Sequence, residues 1–137
     1  MMFKVFVASA TTLSMALSVS AQLANCARNY TVQPGDVCDA ISAANHVSTF
    51  QLAHVNTFID VDCTNLFVGE ILCLGIVGQD CSTTTVVQEG NTCPSIEAAA
   101  SIPASTLFNN NPNINADCSN IYPGEVLCTS FEIINYS

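Results

Sequence analysis

Tyr30-Thr31-Val32-Gln33-Pro34-Gly35-Asp36-Val37-Cys38 returns 55 positions later as Thr85-Val86-Val87-Gln88-Glu89-Gly90-Asn91-Thr92-Cys93. The same shift carries Ile41 onto Ile96, Leu52 onto Leu107, Asn56 onto Asn111, Ile59 onto Ile114, Asn65 onto Asn120 and Gly69-Glu70 onto Gly124-Glu125. The cysteines obey it too. Cys26, Cys38, Cys63 and Cys73 stand 12, 25 and 10 apart, and so do Cys81, Cys93, Cys118 and Cys128. A duplication this regular means two copies of one small unit. The expected modules are 26–74 and 81–129, with a linker at 75–80 and a C-terminal tail at 130–137. Gly75 and Gly78 mark the linker as a short tether that leaves the angle between modules free.

Residues 1–21 differ in kind from the rest. Lys4 precedes an apolar run that ends in Val19-Ser20-Ala21, the pattern of a secretory signal peptide cleaved after Ala21. That run is too short to span a bilayer, so the expected product is extracellular, with no membrane partner. Secretion also sets the reading of the eight cysteines: an even number in a short oxidised chain implies a disulfide framework. Zinc does not fit, because there is no CxxC pair and His46 and His54 lack finger spacing. Within-module pairs are expected, but four cysteines allow three connectivities and spacing does not choose among them. With the signal removed, Arg28 is the one basic side chain against eleven Asp and Glu. Nucleic acid and anionic lipid, both bound through Lys and Arg, are thereby excluded as partners.

Each unit reads as strand, helix, helix, strand, making an α+β fold of two small disulfide-stapled βααβ modules. In the first, Tyr30 to Gln33 is strand-like and Pro34-Gly35 turns the chain. Asp36 is placed to cap a helix with Val37, Ile41 and Ala44 on one face. Ser48 and Gln51 suggest a capping box for a second helix ending near Asn56, and the closing strand is Glu70 to Leu74. The second unit reads as strand Thr85 to Gln88, a cap at Gly90-Asn91-Thr92, a helix through Ile96 to Ala100, a helix opened by Pro103, and strand Glu125 to Thr129. Asn109-Asn110-Asn111-Pro112 ends that second helix.

In Tyr30 to Asp36, Asn56 with Ile59, and Val68-Gly69-Glu70-Ile71-Leu72-Cys73, the chain resembles the LysM domain, in particular the secreted two-LysM effectors of fungi. The second unit repeats the resemblance in Val86 to Thr92, Asn111-Pro112-Asn113-Ile114 and Tyr122-Pro123-Gly124-Glu125-Val126-Leu127-Cys128. Thr57, Val37, Glu89 and Asn91 depart from the usual proline, threonine, proline and aspartate. The resemblance implies chitin or N-acetylglucosamine oligomers as ligand, held between two loops of each module. In the first module these are Gly35, Asp36, Val37 and Asp39, then Asn56, Thr57, Phe58, Ile59 and Asp60. In the second they are Gly90, Asn91, Thr92 and Pro94, then Asn111, Pro112, Asn113, Ile114 and Asn115. It further implies a virulence role that shields fungal wall chitin or hides fragments from host receptors, and a ligand-induced dimer where one sugar chain reaches two copies.

The residue chemistry suits such a ligand independently. A GlcNAc polymer is neutral, its acetamides want a donor and an acceptor, and its C–H faces bury against apolar groups. Glycine turns, asparagines, Phe58 and Ile59 provide these without a basic residue. No cofactor is expected. Asp60 and Asp62 lack an EF-hand pattern, so calcium is not expected either. Catalysis by a glycoside hydrolase pair fits poorly: Asp62 with Asp117 and Glu70 with Glu125 are the only acids that recur, one of each per module. The remaining alternative is a structural or protein-binding module meeting a basic partner. Asn29-Tyr30-Thr31 and Asn135-Tyr136-Ser137 fit the N-glycosylation pattern.

Overall fold

A computed structural model describes residues 24–137, and the signal segment read at 1–21 lies outside them. The first unit runs β1 (Cys26–Thr31), α1 (Cys38–Asn45), α2 (Thr49–Val55) and β2 (Ile71–Ile76). The second runs β3 (Thr84–Val86), α3 (Cys93–Ala100), α4 (Ala104–Asn110) and β4 (Val126–Cys128). In each, first and last strands pair antiparallel, Tyr30 opposite Leu72 and Thr85 opposite Leu127. Both helices pack on that ribbon.

The repeated apolar positions become two separate cores. Val32, Ile41, Val47, Leu52, Leu72 and Leu74 cluster in the first unit, and Val87, Cys93, Ile96, Ile102, Leu107, Ile114 and Leu127 in the second. Such small cores are marginal alone, and each carries two bridges. Cys26–Cys73 and Cys81–Cys128 clamp the strand pairs, while Cys38–Cys63 and Cys93–Cys118 tie the first helix to the long loop. All four lie within modules, which resolves the pairing that spacing left open.

Several local readings need correction. Strand β1 begins earlier than Tyr30, at Cys26, because β2 runs on past Cys73 to Ile76, which stands opposite Cys26. Asp36 caps no helix. Val37 is the N-cap of α1, and the Asp36 carboxylate instead accepts Gln33 N at 2.7 Å and the Tyr30 hydroxyl at 2.6 Å, closing the turn. Gly35 in that turn has φ +85°, and Gly90 repeats it at +84°, a left-handed backbone that glycine adopts without strain. Ser48 caps α2 by accepting Gln51 N, but the Gln51 side chain does not complete a capping box. A complete box does form in the second unit, between Thr92 and Ser95. Pro103 is the N-cap of α4, one position earlier than read, since its ψ of 156° is extended.

The linker is not loose. Gly75 and Ile76 belong to β2, and Asp80 takes both Arg28 Nε and an Arg28 terminal nitrogen at 2.8 Å. The buried Gln51 side chain donates to Leu74 O at 2.7 Å and Asp80 Oδ1 at 2.9 Å, and accepts Cys81 N at 3.0 Å. A Cβ on Gly75 would overlap Asp80, so this glycine gives close approach rather than flexibility. Burial alone would raise the Asp80 carboxyl, yet the bonds from Arg28 and Gln51 hold it below the ordinary aspartate value. The tail also docks. The Tyr136 ring lies 5.1 Å from Phe50 and 5.6 Å from His54, and the Asn110 side chain donates to Glu132 O and accepts Ile134 N, each at 2.8 Å.

Candidate functional site

In the first unit, the turn after β1 and the loop before β2 converge with both helices around an open groove of about 500 Å³. Val37 comes from the turn, Asp39 and Ser42 from α1, and Thr49, Leu52 and Ala53 from α2. Ile59, Asp60, Val61 and Asp62 come from the loop, and the Cys38–Cys63 bridge joins the two sides. The loop is braced from within. Asn65 accepts Asp60 N at 2.9 Å and donates to Phe58 O at 2.7 Å, and Asn120 does the same with Asn115 N and Asn113 O in the second unit. Thr64 donates to Asp60 through both backbone and hydroxyl, and these bonds hold the Asp60 carboxyl below its usual value.

Of the nine first-module residues expected at the site, the groove gathers Val37, Asp39, Ile59 and Asp60. Gly35, Asp36, Asn56, Thr57 and Phe58 do not line it. Asp36 is engaged in the turn. Asn56 is 1% exposed and fully committed: it donates to Leu52 O at 2.7 Å and Cys73 O at 2.6 Å and accepts Cys73 N at 2.8 Å. It stitches the end of α2 to β2. Asn111 repeats the three bonds with Leu107 and Cys128, all at 2.7 to 2.8 Å. Thr57 and Phe58 are exposed on the loop beside the groove.

The second unit presents a different surface. At the places of Val37, Asp39 and Asp60 stand Thr92, Pro94 and Asn115, so two carboxylates are lost. Asn91 accepts Gln88 N, taking the part of Asp36 in the turn. Gly90, Thr92, Pro94, Pro112, Asn113 and Asn115 are exposed, whereas Ile114 is sealed in the core.

Ser42, Thr49, Val61, Asp62 and Tyr122 line the groove and were not among the expected residues. Ser42 was legible in principle, standing three residues after Asp39 on one helix face. Tyr122 was not, for it belongs to the second module. Three carboxylates beside Val37, Ile59 and Val61 make a groove that accepts hydrogen bonds from neutral hydroxyl or amide ligands and repels anions. Among the described residues, no group of three or more His, Cys, Asp or Glu is placed to hold a metal ion.

A family model described as LysM domain matches residues 30–75 and again 85–130. The chain belongs to the LysM domain family. Secreted LysM effector LysM1 of Trichophyton rubrum is 28% identical over 127 residues, covering 76% of this chain and 50% of the relative. A further secreted LysM effector, from Pochonia chlamydosporia, is 27% identical over 123 residues, covering 76% of this chain and 32% of the relative. Non-secreted LysM effector LCP1 of Gibberella moniliformis is 32% identical over 124 residues, covering 88% of this chain and 16% of the relative. The chain thus spans half or less of the length of these LysM effectors. No helix among the described residues is long and apolar enough to cross a membrane.

Proposed function

We propose that this LysM protein is a secreted, non-catalytic binder of N-acetylglucosamine polymers, chitin above all. The observation that carries the reading is the groove where Val37 and Asp39 meet Ile59 and Asp60, the two loops that the family resemblance singled out. Exposed apolar side chains suit the C–H faces of a pyranose, and fixed carboxylates accept its hydroxyl and acetamide hydrogens. Turnover is not supported. A glycosidase needs an acid with raised pKa across the cleft from a second carboxylate. Glu125, whose carboxyl is pushed up to about 7, is 1% exposed and does not line the groove.

Two of the relatives are named secreted effectors, which favours an extracellular role in which chitin is masked, either on a wall against hydrolases or as fragments against receptors. Sedimentation of the purified protein with insoluble chitin, beside cellulose and peptidoglycan, tests the binding. Retention on chitin is the expected result. Recovery of all the protein in the supernatant would overturn the reading. Addition of the protein to chitin before a chitinase then tests masking, with slower release of soluble sugar expected.

A further inference from the structure

The groove of the first module is finished by the second. Tyr122, in the turn ahead of β4, lines the groove together with residues of the first module. Its hydroxyl donates to Asp39 Oδ2 at 2.9 Å across 83 positions of sequence. The other Asp39 oxygen accepts the Thr49 hydroxyl at 3.0 Å, and Thr49 Oγ1 accepts Val126 N at 3.0 Å. Thus β4, α2 and α1 are locked in one network, and the phenol is held at the groove by a residue that also lines it. Tyr122 is still 43% exposed.

We propose that Tyr122 is a sugar-contacting residue of the first module's groove, which makes that groove a two-module site gripping one amino-sugar chain. The inference rests on the chitin-binding reading above and names a contact outside the module that carries the family loops. An aromatic ring offers a pyranose a flat apolar face. The bond to Asp39 fixes the ring before ligand arrives, so little side-chain freedom remains to be lost on binding. Asp39 keeps acceptor capacity as well: a carboxylate has about four lone-pair sites, and Thr49 and Tyr122 occupy two. The equivalent residue of the first module, Phe67, is 62% exposed, has no hydroxyl and lines no part of this groove. The role therefore belongs to one copy of the repeat only.

The test uses the full chain titrated with chitohexaose by calorimetry, in unaltered form and as Tyr122→Ala, Tyr122→Phe and Phe67→Ala. Tyr122→Ala is expected to weaken binding about tenfold, a contact worth roughly one aromatic anchor. Tyr122→Phe keeps the face and should stay within about threefold, and Phe67→Ala should match the unaltered protein. A second measurement does not depend on how the variants fold: in the unaltered protein, intermolecular NOEs from bound sugar to the Tyr122 ring protons are expected. Their absence, or Tyr122→Ala binding as tightly as the parent, would overturn the proposal while leaving the chitin reading intact. Failure of the unaltered protein to bind any chitin oligomer would instead remove the chitin reading, and this inference with it.

Discussion

Glu125 should make this protein less stable as pH rises through neutrality. The side chain is sealed between the modules, its Oε2 has no hydrogen-bond partner, and its Oε1 has only a 3.5 Å contact from Asn113. Burial first, and then the negative charge of Asp39 on α1, push the carboxyl from 4.5 up to about 7. The other groups on that seam, Thr49 and Tyr122, donate to Asp39 and leave Glu125 with only the long bond from Asn113, which offsets part of the rise. Because the folded pKa is raised, the folded chain keeps a proton that the unfolded chain has already released. The stabilisation is complete below about 4.5 and is lost as pH climbs through about 7. At about 1.4 kcal/mol for each tenfold change in proton activity, the rise from 4.5 to about 7 corresponds to a loss of at most about 3.5 kcal/mol. Glu125→Gln removes the ionisation and keeps the shape. Urea denaturation with disulfides intact, from about pH 5 to about pH 8, should show the parent falling behind the glutamine variant as pH rises, with the gap levelling near pH 8. Parallel stability curves for the two proteins over that range would refute the reasoning.

Asn56→Ala should destabilise the fold by about 2 to 4 kcal/mol, read as a lower urea midpoint, since it strands the buried Cys73 amide and carbonyl. Replacing Cys38 and Cys63 together by Ser opens a bridge of separation 25, for which loop entropy gives about 3.5 kcal/mol, and thermal melting should drop accordingly. Gly75→Ala should disturb the linker by displacing Asp80 from Arg28 and Gln51, visible as faster amide exchange at Cys81. Retention on chitin should change by less than about tenfold between low and high salt, because the ligand is uncharged, and a steeper fall in a sedimentation series would point to a basic partner instead.

The sequence by itself determined the module. A 55-residue repeat of cysteines, apolar positions and glycine turns specifies two βααβ units, because those features act over a few residues or recur with a fixed period. The family resemblance carried by those motifs pointed to Val37, Asp39, Ile59 and Asp60, which the fold then brings to one groove. Side-chain partners were another matter. Asn56 read as a ligand group because asparagine on a loop has free hydrogen-bond capacity, and only the packing of α2 against β2 shows that capacity to be consumed. The disulfide pairing, the binding of Asp80 by Arg28 and Gln51, and the arrival of Tyr122 at the first module's groove belong to the same class. Each depends on contacts between residues far apart in the chain, and no local period encodes which distant surfaces will meet.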